Sequence, residues 1–101
     1  MSQQMLRRPV HPGVLLKEEL LDPFGLSLNQ LARALKVPAN RLSQIVSGRR
    51  SISPDTSIRL GRYFGFSADY WLNLQVRYEF ECVRRASGAR IAAEVRPRRA
   101  A

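Results

Sequence analysis

The stretch that decides the fold is residues 27–48, SLNQLARALKVPANRLSQIVSG. Ser27 stands where a helix N-cap belongs, and Gln30 three residues later completes a capping box. Leu28, Leu31, Ala32 and Leu35 then recur at helical spacing. Val37-Pro38 ends that run, and Pro38 suits the first turn of a second helix, where a missing amide costs nothing. Leu42, Ile45 and Val46 form the second helix's buried stripe, and Gly48 closes it as a C′ glycine. Two helices this short must rest on others to hide their apolar faces. Leu31, Ala32, Leu35, Val37, Leu42 and Ile45 supply the contacts inside the pair. Ala32 sits where the helices cross, so a larger side chain there would overpack. A short pair joined by a tight turn is a helix-turn-helix, whose second helix can enter the DNA major groove.

Working outward, the spacing predicts a first helix from about Gly13 to Leu21, with Val14, Leu15, Leu16, Leu20 and Leu21 as its apolar residues. Asp22-Pro23 should stop it, because the residue before proline is pushed out of the helical region. Phe24 and Leu26 flank Gly25 in the connection. Downstream, Ser53-Pro54-Asp55 combines a cap, an N1 proline and an acid favoured by the helix dipole. Ile58, Leu60, Tyr63 and Phe64 are the expected buried residues of that helix, and Gly65 ends it. Ser67-Ala68-Asp69 opens a fifth helix that should reach about Val83. The expectation is an all-α, compact five-helix bundle over residues 11–83. It is preceded by a flexible arm (1–10) and followed by a basic, mobile tail (84–101), with at most a short helix around 89–95.

Composition agrees with one domain: 101 residues, 45% of them hydrophobic. No apolar run approaches the roughly 18 residues of a membrane helix, which points to a soluble, cytoplasmic protein without a membrane partner. Cys82 is the only cysteine and His11 the only histidine, which rules out an internal disulfide and a zinc knuckle and leaves a triad or a histidine-based metal site almost nothing to work with. Seventeen Lys+Arg against eight Asp+Glu give +9, a balance that suits a polyanion, most simply nucleic acid. The excess is partitioned. Residues 27–51 hold five basic residues and no acid, and residues 84–101 hold six arginines against Glu94 alone. A merely solubilising charge has no need of that partition.

The outward side of the second helix carries Ala39, Asn40, Arg41, Ser43, Gln44 and Ser47. Asn and Gln can pair bidentately with adenine and Arg with guanine, while Ala39 can meet a thymine methyl. Ser27, Asn29 and Pro38 lie at the amino ends of the two helices, where free amides favour phosphate. Arg49 and Arg50, just past the second helix, are placed to grip the backbone. A polar outer face is also what any surface helix shows, so the charge partition and capping signals carry the DNA reading.

Other residues are set aside. His11 with Glu18 and Glu19 reads as a helix-entry residue beside solvated acids rather than a metal site. Cys82 and Trp71 read as packing residues rather than a redox switch and a base-stacking platform. No glycine-rich phosphate loop and no nucleophile–base pair is visible, so neither enzymatic activity nor a cofactor is expected.

On these residues the chain resembles the lambda-repressor-like XRE family and, more narrowly, HigA-type (VapI-like) antitoxins. The resemblance is carried by His11-Pro12-Gly13, Leu31-Ala32-Arg33-Ala34-Leu35, Val37-Pro38, Gly48-Arg49-Arg50-Ser51-Ile52-Ser53, Thr56-Ser57-Ile58-Arg59-Leu60, Tyr63-Phe64-Gly65 and Tyr70-Trp71-Leu72-Asn73-Leu74-Gln75. It implies an antitoxin that neutralises a HigB-type, RelE-like mRNA endonuclease and represses its own operon as a dimer on a palindromic operator. The recognition positions then fall on Ala39, Asn40, Arg41 and Gln44. Such proteins often have glycine where this chain has Lys36, so a strained or altered turn is expected there.

The fifth helix points to self-association independently. Tyr70, Trp71, Leu74, Tyr78 and Cys82 share one side; Leu72, Val76, Phe80 and Val83 share nearly the opposite one. A helix resting on one small core needs one apolar face, so the second face is the expected homodimer interface. Two other readings stay open: an XRE-type repressor without a toxin, and a basic RNA- or protein-interaction module.

Overall fold

The computed structural model describes residues 8–99, and most of the expected N-terminal arm lies outside them. Helix α1 comprises three contiguous pieces: an α-helical start Pro12–Leu15, a π-helical run Leu16–Leu21 and an α-helical end Asp22–Phe24. Helices α2 (Leu28–Leu35), α3 (Ala39–Val46), α4 (Pro54–Phe64) and α5 (Tyr70–Glu94) follow, with no strand among the described residues. Leu16, Leu20, Leu31, Leu35, Leu42, Ile45, Ile52, Leu60 and Trp71 are buried in one core. The bundle is thus the all-α, five-helix arrangement read from the sequence.

The turn chemistry explains most boundaries. The Ser27 hydroxyl accepts from the Gln30 amide at 3.0 Å while the Gln30 carboxamide accepts from the Ser27 amide at 2.9 Å. The Ser53 hydroxyl accepts from the Thr56 amide in the same way. Gly25, Gly48 and Gly65 all take the left-handed conformation that ends a helix. Lys36, at φ 60°, takes it too, and is the one non-glycine residue with positive φ among the described residues. The Val37 amide then donates to the Ala32 carbonyl at 3.0 Å, which closes α2 with a Schellman turn. Lysine therefore keeps the tight turn and accepts its strain.

Three expectations need correction. Pro23 does not stop α1 at Leu21: the helix runs to Phe24. A proline inside a helix removes one amide and crowds the carbonyl four residues earlier. The π run answers this by shifting donors by one, so that the Asp22 amide reaches the Lys17 carbonyl. Secondly, Ile58 and Tyr63 are 55% and 48% exposed rather than buried. The inner face of α4 is instead made by Thr56, Ser57, Leu60 and Gly61. The small Ser57 and Gly61 let α5 and its preceding turn approach closely: a Cβ on Gly61 would stand 2.9 Å from the Phe66 and Ser67 carbonyls. Thirdly, α5 does not end near Val83 but continues to Glu94. Arg84, Arg85, Ala86, Ala89, Arg90, Ala92 and Ala93 are strong helix formers. With the Glu81–Arg84 and Arg90–Glu94 pairs they outweigh Ser87 and Gly88.

The start of α5 is capped from another helix. Asp69 occupies the N-cap position but makes no side-chain capping bond. The fully buried Ser57 hydroxyl of α4 does it instead, accepting from the Leu72 amide at 3.0 Å and donating to the Ala68 carbonyl at 2.7 Å.

Candidate nucleic-acid interface

The buried stripe of α2 (Leu31, Ala32, Leu35) meets that of α3 (Leu42, Ile45), and Ala32 is only 3% exposed. Helix α1 lies directly against α3: a Cβ on Gly13 would collide with the Ile45 carbonyl. The backbone of α3 is thereby fixed from behind.

Ser27, Leu28 and Asn29 at the start of α2 and Ala39, Asn40 and Ser43 of α3 line one open cleft. Ser27, Asn29, Pro38, Ala39, Asn40 and Ser43 are exposed, and Gln44 is half-buried. Among the described residues, the side chains of Asn29, Asn40, Ser43 and Gln44 make no hydrogen bonds within the chain. Amides and a hydroxyl without partners in the chain, on a helix packed from behind, suit base edges and phosphates. The Schellman bonds Gly48 amide to Ile45 carbonyl (3.0 Å) and Arg49 amide to Gln44 carbonyl (2.8 Å) then turn the chain back beside α3. Arg49 and Arg50 follow exposed, and neither has an ion-pair partner among the described residues.

Arg41 departs from the grouping with Asn40 and Gln44. Its guanidinium is held by Asp55 at the start of α4, 3.2 Å away, and it lines a second hollow with Arg50, Ser51, Ser53 and Thr56. Asp55 also takes Arg59 at 2.7 Å, and Arg59 donates to the Leu35 carbonyl at 2.8 Å. The Arg59 hydrogen bond, followed by the arginine charges, holds the Asp55 carboxyl below its ordinary pKa. Sequence reasoning placed Asp55 on the helix dipole and missed this cross-link, because nothing in the chain spacing brings residues 35, 41, 55 and 59 together.

The loop that carries Arg49 and Arg50 is anchored to α5. Gln75, 3% exposed, accepts from the Ile52 amide at 3.0 Å and donates to Glu79 at 3.1 Å. Glu79 in turn accepts from the Ser51 hydroxyl at 2.8 Å. His11 closes the other side. Its Nδ1 accepts from the Gly13 amide at 2.9 Å and its ring meets Tyr78 edge-on at 5.1 Å. Burial lowers the His11 pKa, opposed by a hydrogen bond with the Arg50 backbone and by the Glu79 charge. An imidazole that accepts at Nδ1 while bonded to a backbone carbonyl is neutral.

On α5, Trp71 is buried; Tyr78 and Cys82 are half-buried on the same side, and a hydrogen bond to Cys82 raises the Tyr78 pKa. The opposite face holds half-buried Leu72 and exposed Val76, Phe80 and Val83, at 56%, 62% and 55%. Ile91, 42% exposed, stands farther along the same side. No group of three or more potential metal ligands occurs among the described residues, and no described helix is long and apolar enough to cross a membrane.

Residues 16–71 match the helix-turn-helix family model HTH_3. Virulence-associated protein I of Dichelobacter nodosus is 49% identical over 72 residues, 71% of this chain and 67% of that protein. The Pseudomonas aeruginosa antitoxin HigA, solved with the higBA promoter, superposes with a TM-score of 0.85 at 48% identity, covering 89% of this chain and 98% of that one. A HigA-family addiction-module antidote protein of Coxiella burnetii gives a TM-score of 0.85 at 44% identity, covering 91% of this chain and all (100%) of that one.

Proposed function

Since the chain belongs to the XRE-type helix-turn-helix family that includes the HigA antitoxins, we propose that it is a type II antitoxin. In this reading it represses its own operon and neutralises a HigB/RelE-like endonuclease. Members of this family are regulators rather than enzymes, so its action is binding. The observation that carries the DNA reading is the α3 face: Asn40, Ser43 and half-buried Gln44, without side-chain partners in the chain, on a helix packed against Gly13, beside Arg49 and Arg50 with no ion pair among the described residues. Ala39, Asn40, Ser43 and Gln44 read bases. Ser27, Asn29, Pro38, Arg49 and Arg50 hold phosphates, and Arg41 joins them on release from Asp55.

The second copy of the dimer is received by Leu72, Val76, Phe80 and Val83, an apolar face that the monomer leaves bare. Ile91 extends it, so the helical residues 84–94 belong with the dimer helix, and the tail proper begins after Glu94. A two-fold dimer sets the two α3 helices about 34 Å apart or a multiple of it, which matches a palindromic operator. The protein acts in the cytoplasm, where operator and ribosome are reached.

The test has two arms. Fluorescence anisotropy compares duplex DNA from upstream of the protein's own reading frame with a scrambled duplex at one salt concentration. Growth assays ask whether co-expression relieves arrest by the RelE-like protein of the neighbouring frame. Preference for the native duplex together with rescue supports the whole reading. Preference without rescue leaves a repressor without a toxin, and neither result leaves an interaction module.

A further inference from the structure

The α4 residues Ile58 and Tyr63 are apolar, exposed and absent from the DNA cleft. With Ala34, Leu35, Arg59 and Arg62 they line an open groove between the end of α2 and the outer face of α4. Tyr63 also borders a second hollow with Phe24, Leu26 and Phe64. The rings are mutually supported: Tyr63 meets Phe64 edge-on at 4.8 Å and Phe24 stacks on Phe64 at 6.2 Å. Phe24 is 64% exposed although it is among the largest apolar side chains of the domain. A contiguous aromatic surface of this kind marks a protein interface.

We infer that this Phe24–Ile58–Tyr63 surface is the docking site of the neutralised toxin, which engages it through an apolar segment flanked by a carboxylate. The inference rests on the antitoxin reading above. The proposed dimer and the charge of the groove choose the occupant. In the proposed dimer the second copy already has its seat on the α5 stripe, on another helix from this surface. The occupant is therefore a different protein. The charge decides its chemistry. Arg59 is spent on Asp55 and the Leu35 carbonyl, whereas Arg62 stands exposed at the groove with no ion pair among the described residues. An apolar floor with one uncommitted guanidinium fits an apolar side chain beside a carboxylate. The groove shares no lining residue with the cleft at Asn29 and Asn40, so toxin and operator need not compete for side chains.

The experiment titrates the full-length chain with a catalytically silenced copy of the neighbouring RelE-like protein, by calorimetry. The variants are Ile58→Ser/Tyr63→Ala and Arg62→Glu, all at exposed positions that leave the core intact. Operator anisotropy and the sedimentation coefficient are measured on each variant as controls. The proposal predicts at least about tenfold weaker toxin binding in both variants, with operator affinity and dimeric mass unchanged. Unchanged toxin affinity in folded variants overturns the docking site and leaves the antitoxin reading standing. Loss of dimeric mass assigns the surface to the second copy and overturns it as well. No toxin binding by the unmodified chain overturns the antitoxin reading, and the docking site with it.

Discussion

Ser57→Ala isolates one interaction with little change of volume. The Ser57 hydroxyl is fully buried, accepts from the Leu72 amide at 3.0 Å and donates to the Ala68 carbonyl at 2.7 Å. Leu72 is the third residue of α5, where amides have no intrahelical acceptor, and Asp69 supplies no side-chain substitute. Losing the hydroxyl strands that amide in a half-buried position, at roughly 1–3 kcal/mol. The Ala68 carbonyl belongs to an exposed residue and can turn to water, so its loss adds at most about 1 kcal/mol. The alanine methyl leaves almost no cavity, so the sum is about 2 kcal/mol. For a domain of this size that lowers Tm by about 8–16 °C. Urea unfolding followed by circular dichroism measures it, with an unchanged m-value as the check that the unfolded state is the same. A loss below about 0.5 kcal/mol would refute the claim that α4 caps α5.

Lys36→Gly removes the strain of a left-handed lysine and should raise stability by about 1 kcal/mol in the same assay, with operator affinity unaltered. Ala32→Leu forces apart the α2–α3 crossing and should cost about 1–3 kcal/mol, with operator binding falling alongside it. The His11 pKa is lowered by folding, so the unfolded chain binds the extra proton more readily. Stability should be complete above pH of about 6.5 and decline as pH falls below it, and His11→Asn should remove that part of the decline in pH-dependent urea titrations. Phe80→Asp places a charge in the proposed dimer face and should give a monomer by sedimentation; an unchanged dimer would contradict that face.

The helix-turn-helix was legible because its signals are local. Ser27, Gln30, Gly48, Ser53 and Gly65 act within a turn of their own positions. The small Ala32 marked the helix crossing for the same reason. What escaped depended on distant partners or on compensation. Pro23 is tolerated because a π run re-pairs the amides around it, and no local rule announces that. The outer face of α4 looked buried because Ile58 and Tyr63 are apolar, yet the core is satisfied by Ser57, Leu60 and Gly61. The α5 extension was hidden by Ser87 and Gly88, whose penalties are outvoted by arginines and alanines on both sides. Within the candidate site, the exposed residues of α3 lie as the sequence suggested. Arg41 turns to Asp55, a partner fourteen residues away in the chain.

In the proposed complex α3 reads bases while the following loop grips phosphate. Operator anisotropy on native and scrambled duplexes, run on Asn40→Ala/Gln44→Ala and on Arg49→Ala/Arg50→Ala, separates the two roles. The first variant should lose the preference for the native duplex and keep its weaker general affinity. The second should weaken both duplexes alike and flatten the salt dependence by about 0.9 log units of slope for each lost contact. A first variant that still prefers its own operator as strongly as the unmodified chain would show that Asn40 and Gln44 do not read bases.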